Sequence, residues 1–488
     1  MQLRNARVPG AQPGLVDITL TDGSIVSITP ADSIGPTATE ESIDLDGRWV
    51  SPGMWDNHVH ASQWALTERR LDLSRTESAR EAASLVADAV AIAASPAPGQ
   101  PFIGAGFRDG LWPDAPNLAD LDAASRGVPV VLVSGDLHCV WLNSAALDLY
   151  GYRGHETGLL VEDDAFEVTA KINVAPNELL DGWVAEAASV AARRGVVGIV
   201  DLEMDWNADA WQRRMADGFD TLRVEFGIYS QDLDRAIALG YRTGNRLGDL
   251  LTVGRFKVLT DGSLNTRTAY CYDDYPDPEG AETTNGMLVV PPADLLPLMR
   301  RASDAGLEPT VHAIGDHAIS LALDAFEEIG CLGRIEHAQL VSDSDLPRFA
   351  RLGVTASVQP DHAMDDRDVA EHHWAGRTAR AFPLRALLDA GAQLAFGSDA
   401  PVSPLDPWAT AAAAVGRSRD GREPWHPEQR ISVAEALAAS TRGTVAVGQV
   451  ADLIVTGSDP LAASADDLRA MIVDATILAG RFTHRAGL

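Results

Sequence analysis

Short runs in which apolar and polar residues alternate open and close this chain, while longer mixed periods fill its middle. Leu15-Val16-Asp17-Ile18-Thr19-Leu20, Gly23-Ser24-Ile25-Val26-Ser27-Ile28 and Ser42-Ile43-Asp44-Leu45 read as strands, with turn residues at Asp22-Gly23 and Asp46-Gly47 between them. The C-terminal stretch returns to the same texture in Ala451-Asp452-Leu453-Ile454-Val455, Met471-Ile472-Val473 and Ala475-Thr476-Ile477-Leu478. A tail of such strands without a partner has nothing to bury its apolar face against. Both ends are therefore expected to build one small β-domain, from residues 1–52 and 443–488.

Residues 53–442 alternate strand-like and helix-like stretches. The strand runs begin at Pro129-Val130-Val131-Leu132-Val133, Gly198-Ile199-Val200-Asp201-Leu202 and Leu222-Arg223-Val224-Glu225-Phe226. Arg255 to Leu259, Pro309 to His312, Arg334 to His337, Val354 to Val358 and Leu394 to Gly397 follow. Alanine-rich amphipathic segments lie between, at 77–94, 180–194, 294–305, 317–329 and 382–390. This alternation predicts a parallel α/β architecture, either an eight-stranded barrel or a doubly wound sheet. No GxGxxG and no P-loop lysine is present, which removes the usual reason for an open nucleotide-binding sheet and favours a barrel with insertions.

Composition narrows the class. With 488 residues, 46% apolar and 22% charged, the chain exceeds one ordinary domain and has material for a full core. A net charge of −31 repels nucleic acid and anionic membrane, so neither is an expected partner. Cys139, Cys271 and Cys331 are scattered without CxxC spacing, and Met1 to Pro9 lacks the apolar region of a signal peptide, so a cytoplasmic location is expected. Of the 39 basic residues only Lys171 and Lys257 are lysines. Lys171 lies in a polar stretch that reads as surface, whereas Lys257 sits inside an apolar strand.

Candidate chemistry gathers at strand ends. In an extended strand the side chains of His58 and His60 point to one face, so both imidazoles can reach one metal ion; a hydrogen-bonded pair is equally open. Lys257, His312, His337 and Asp399 each end or follow an apolar run and precede a loop rich in Gly, Asp or Ser. In a parallel barrel such positions converge on one mouth. Each has an ordinary alternative: a strand-end histidine bonded to a carbonyl, Asp399 capping a helix, Lys257 paired with Glu225 or Asp201. One shared explanation is simpler than separate ones for all six.

The segments Val133-Ser134-Gly135-Asp136, Asp261-Gly262-Ser263-Leu264, His312-Ala313-Ile314-Gly315-Asp316, Arg334-Ile335-Glu336-His337-Ala338-Gln339, Gly397-Ser398-Asp399-Ala400-Pro401-Val402 and Gly448-Gln449-Val450-Ala451-Asp452-Leu453 carry a resemblance. With them the chain resembles the metal-dependent amidohydrolase superfamily, in the branch that includes N-substituted formamide deformylases. The resemblance implies a (β/α)8 TIM barrel with a small β-sandwich domain formed by both termini. It implies two divalent metal ions, zinc being expected, with His58, His60 and Asp399 at the more buried ion and His312 and His337 at the other. It further implies a CO2-derived carbamate on Lys257 that bridges both ions. A buried amine loses its proton and reacts with CO2, whereas an arginine stays charged. Such a pair of ions would share a hydroxide and polarise a carbonyl, with Asp399 moving the proton to the leaving nitrogen.

Three departures from the relatives' pattern fall where substrate is expected: Leu137, the loop Ser263-Leu264-Asn265-Thr266-Arg267, and His317. His138 can donate to the substrate oxygen or serve only as a bonded loop histidine. Arg267 can meet a substrate carboxylate or pair with Asp261, Asp273 or Asp274. The stretch from Gln359 to Arg377, with His362, His372, His373 and Trp374, reads as a mobile loop over the mouth, its adjacent histidines solvated. Trp64, Trp112, Trp141, Trp374 and Trp408 suggest an aromatic pocket, with core packing the default for each. The expected activity is hydrolysis of an amide, formamide or related C–N bond in a small molecule. A heterocycle deaminase or cyclic amidase of the same superfamily, and a barrel used only for binding, are the alternatives. A homodimer is open to the chain.

Overall fold

Eight parallel strands form one sheet, each paired with its neighbours in chain order. They are β1 (Met54–Val59), β2 (Val196–Asp201), β3 (Arg223–Tyr229), β4 (Leu251–Leu259), β5 (Pro309–Ala313), β6 (Gly333–His337), β7 (Val354–Val358) and β8 (Leu394–Phe396). This computed structural model describes residues 1–11, 14–31, 41–92, 100–276 and 284–488. The ends of the sheet meet just beyond β8. There Asp399 N donates to His58 O at 2.8 Å and His60 N to Ala400 O at 2.8 Å, so the barrel is nearly closed. Gly397 permits that approach, because a Cβ on it would lie 2.6 Å from His58 N.

The strands are buried along almost their whole length because helices cover their outer face. Helices Ala79–Ile92, Asn177–Arg193, Pro292–Asp304, Asp316–Ile329 and Leu384–Asp389 fall where the alanine-rich segments predict them. Residues 93 and 94 of the first expected segment lie outside the described residues. Among the described residues no helix is long and apolar enough to cross a membrane.

The run Pro129 to Val133 is a strand, but it does not belong to the barrel. It lies in a five-stranded sheet inserted between β1 and β2, built from Leu71–Asp72, Phe102–Phe107, Val130–Ser134, Cys139–Leu142 and Leu159–Val161. Two apolar clusters sandwich this sheet, one around Val86, Leu121 and Trp141, the other around Val131, Leu147 and Val168. An apolar run reveals a strand without revealing which sheet will take it.

The two ends of the chain form two four-stranded sheets. One holds Gln2–Ala6, Val16–Thr21, Ser24–Pro30 and Ser42–Asp44; the other holds Trp49–Pro52, Leu453–Thr456, Val473–Leu478 and Arg481–Arg485. Both sheets feed one cluster that includes Leu3, Ile18, Ile25, Val50, Leu453, Val455 and Ile477. Of the run at Met471 only Val473 is extended, as the start of the strand Val473–Leu478 that holds the run at Ala475.

The stretch 359–377 differs from expectation. It carries two short helices, His362–Asp365 and Arg367–His373, and Trp374 is fully buried in a cluster with Leu264, Tyr275, Leu340 and Phe382. Helical geometry also corrects the reading of the paired histidines. Neighbours on a helix diverge by about 100°, so His373 turns into the core while His372 stays exposed.

Candidate active site

Every strand-end residue singled out above faces one cavity at the C-terminal mouth of the barrel. His58, His60, Lys257, His312, His337 and Asp399 all line it, together with His138 from the inserted sheet. Its volume is about 680 Å³ including the open mouth. All six barrel residues are buried.

The electrostatic environment suits a cation. Asp399 Oδ1 lies 3.3 Å from His58 Nε2 and 3.2 Å from His60 Nε2. Yet Asp399 Oδ1 makes no hydrogen bond of good geometry, and His60 Nδ1 and His337 Nδ1 are also buried without one. Ligand atoms of His58, His337 and Asp399 lie within 4.8 Å of one another. The His312 and His337 rings are 4.4 Å apart, so the fourth histidine adjoins the same cluster. Buried polar atoms left unpaired around a common point fit a bound divalent ion, and imidazole with carboxylate is a donor set that borderline metals accept.

Backbone strain marks the same residues. His337 has φ 73°, Ala338 φ 42° and Asp399 φ 59°, a region that residues with a Cβ rarely adopt. At Asp399 the left-handed turn follows β8 directly, and the side chain caps no helix. The next helix, Pro407–Gly416, is capped by Asp406.

Supporting groups hold the histidines in place. His58 Nδ1 is 2.8 Å from Glu336 Oε2, and Thr310 Oγ1 donates to the other carboxylate oxygen. Burial opposes a charge on Glu336, but His58 and Lys257 hold its carboxyl well below the usual range. Burial likewise opposes the Asp399 charge, and His58, His60 and His337 hold that carboxyl well below normal. Asp56 accepts from Ser398 N at 2.9 Å and His58 N at 3.1 Å, tying β1 to the turn after β8; burial pushes it up to about 7. Asp261 ties the loops after β4 and β5 by accepting from Tyr270 N and Gly315 N, both at 2.9 Å, and burial pushes it to about 7.

Lys257 is 1% exposed, and its burial lowers its pKa. The ion-pair alternatives for it are taken by others. Glu225 accepts from Arg255 at 2.8 Å and Arg442 at 2.9 Å, and Asp201 from Ala61 N and the Trp211 indole. His138 is both bonded and directed into the cavity, with Nδ1 2.9 Å from Glu162 Oε2. Burial works against its charge, and Glu162 overrides burial to raise it to about 9.

A family model described as the amidohydrolase family matches residues 41–484. The chain belongs to the amidohydrolase family. It is 25% identical to the N-substituted formamide deformylase of Arthrobacter pascens, over 98% of this chain and 96% of that one. It is 28% identical to the protein LONG AFTER FAR-RED 3 of Arabidopsis thaliana, over 90% of this chain and 83% of that one. A solved metal-dependent hydrolase of Pyrococcus horikoshii superimposes with a TM-score of 0.79 at 26% identity, covering 95% of this chain and 99% of that one. This amidohydrolase is accordingly a metal-dependent hydrolase by family, and its buried histidine and aspartate cluster is consistent with a divalent metal.

Some sequence-based candidates lie elsewhere. Of the departures expected to meet substrate, Leu137, Ser263, Leu264 and Asn265 line the cavity, but Arg267 is exposed and not part of the wall. His317 is also outside it, stacked on Tyr270 and Tyr272 at ring separations of 4.6 and 4.2 Å. None of the five tryptophans lines the cavity; its apolar wall includes Leu137, Phe166, Met204, Leu259, Leu264, Ile314 and Val402. The sequence did not single out Glu336 or Glu162, which bond His58 and His138. Glu336 had one usable signal, its place directly before His337 in β6, whereas Glu162 reaches the site only through the inserted sheet.

Proposed function

We propose that this amidohydrolase cleaves a C–N bond of a small amide or formamide. In this reading His58, His60, Lys257, His312, His337 and Asp399 hold two divalent ions, with zinc the first choice. The observation that carries the reading is their convergence from separate strand ends on one cavity, with unpaired buried atoms among them. Likeness to the formamide deformylase supports the bond type.

When bound, such ions polarise a carbonyl and lower the pKa of a water. The chain's own groups supply the rest. Burial favours the uncharged Lys257 amine, which adds to CO2 and releases a proton to become a carbamate with the charge of a carboxylate. Asp399 accepts the proton of the attacking water and passes it to the leaving nitrogen, whose bond to carbon breaks. His138, kept cationic by Glu162, donates toward the carbonyl oxygen as negative charge develops there. The apolar wall excludes water from the remainder of the substrate. We also infer that the two terminal sheets, which share one core, form a β-sandwich domain.

Elemental analysis of the purified protein is the direct test, combined with amine release from N-formyl, N-acyl and cyclic amides. About two ions per chain and amine release are expected, with Lys257→Ala retaining about one ion. One ion with ammonia release from heterocycles would favour a deaminase instead. Absence of bound metal would indicate a binding barrel. Full occupancy in the Lys257→Ala variant would remove the bridging role.

A further inference from the structure

Part of the cavity wall is built from the inserted sheet and from the two short helices over the mouth, and it adjoins the histidine cluster: the His362 ring lies 6.3 Å from that of His337. His362 lines it, is 4% exposed, and keeps Nε2 without a hydrogen-bond partner. A buried imidazole nitrogen left unpaired in a cavity wall is costly unless something else fills its need.

Asp366 lines the same wall. It occupies the capping position of the helix Arg367–His373, yet its side chain accepts no hydrogen bond from that helix. The carboxylate turns instead to Arg108, whose Nη1 is 3.2 Å away. Arg108 is shared: it also reaches Asp365 at 3.3 Å and the Val402 carbonyl at 3.0 Å.

Charge around this part of the cavity is unbalanced. The cations are each committed, His138 to Glu162, Arg108 to Asp365 and Asp366, and Arg419 to Asp361 and Asp365. Asp136 also lines the cavity and is met by the hydroxyls of Ser134 and Ser263 and by the His138 N–H. These carboxylates therefore outnumber the cations that pair with them. In the tautomer that leaves His362 Nε2 as an acceptor, that nitrogen beside a surplus of negative charge suits a donor that carries positive charge.

We propose that His362 and Asp366 form a subsite beside the histidine cluster for a substrate group other than the scissile amide, and that the group received there is an amine in its ammonium form. The ammonium donates to His362 Nε2 and to the Asp366 carboxylate, which stays anchored by Arg108. The preferred substrates are then amides or formamides of diamines rather than of simple alkylamines or amino acids. The proposal rests on the metal-centred hydrolysis proposed above.

The test uses the metal-loaded enzyme and mono-N-formylated α,ω-diamines of graded length. These are matched with N-alkylformamides and ω-formamido carboxylates of the same length, and kcat/KM is compared within each enzyme. Calorimetric binding of the free diamines against n-alkylamines provides a readout independent of turnover. At the best length the wild type should favour the amine-bearing member at least about tenfold in both measurements, as a site built to bond a polar group rejects analogues without it. Asp366→Asn and His362→Phe should each reduce that ratio at least threefold, roughly half to one kcal/mol. Because the ratio is internal to each variant, a general loss of stability cancels. Binding preference without hydrolysis would leave the subsite standing and sink the C–N hydrolase reading. Hydrolysis without preference for amines, a preference for carboxylates, or a ratio unmoved by both substitutions would overturn the subsite.

Discussion

Glu336 is buried behind His58, and its bond to His58 Nδ1 decides which imidazole nitrogen faces the cavity. Carboxylates in that position fix the tautomer and orientation of a ligating histidine, and losing them costs about 10–100-fold in metal affinity. Glu336→Gln should therefore weaken metal binding by that factor in competition with a chelator, and unchanged affinity would show that His58 is held by packing alone. His138 and Glu162 make a second prediction, in the metal-free protein. Folding raises His138 to about 9 from the ordinary imidazole value of 6.5. The stabilisation from this pair is thus fully present below pH 6.5 and lost as pH rises through about 9. An NMR titration of the ring should find it protonated at neutral pH, and Glu162→Gln should remove that upward shift; a titration unaffected by the substitution would exclude Glu162 as its cause.

Among elements, the seam between β1 and β8 is the most constrained. A Cβ at Gly397 would press on the His58 backbone nitrogen and on His58 Cβ at 2.7 Å. Backbone cannot step aside cheaply, so Gly397→Ala should cost about 1–3 kcal/mol in denaturant unfolding and lower metal content together. Metal loss without destabilisation, or the reverse, would separate the seam from the site. Elements were also where sequence reading varied most. The barrel strands from β2 to β8 and the amphipathic helices were legible, because their apolar periods are set by geometry along one element. The roof at 359–377 was not: its acids and histidines read as solvated, but Asp361, Asp365 and Asp366 pair with Arg108 and Arg419, which come from distant segments. Polar residues that satisfy one another across a fold look identical, in sequence, to residues that satisfy water.

At the scale of the whole molecule, the two ends of the chain meet in a cluster none of whose residues lines the cavity. Ile477 is buried in the cluster shared by the terminal sheets. Ile477→Ala should lower unfolding stability by about 2–5 kcal/mol while metal content stays unchanged. Loss of metal in this variant would mean that the terminal sheets brace the barrel mouth. The alternation of strands and helices, the β character of both ends and the identity of His58, His60, Lys257, His312, His337 and Asp399 as candidates were all determined by sequence, since each is a property of one residue or one short period. Only tertiary structure decided that these six share a cavity and that the strand at Val130 belongs to an inserted sheet. It also decided that His362 and Asp366, not Arg267 or His317, line that cavity. Those outcomes depend on which surfaces meet across long stretches of chain, and no local pattern of residues encodes that meeting.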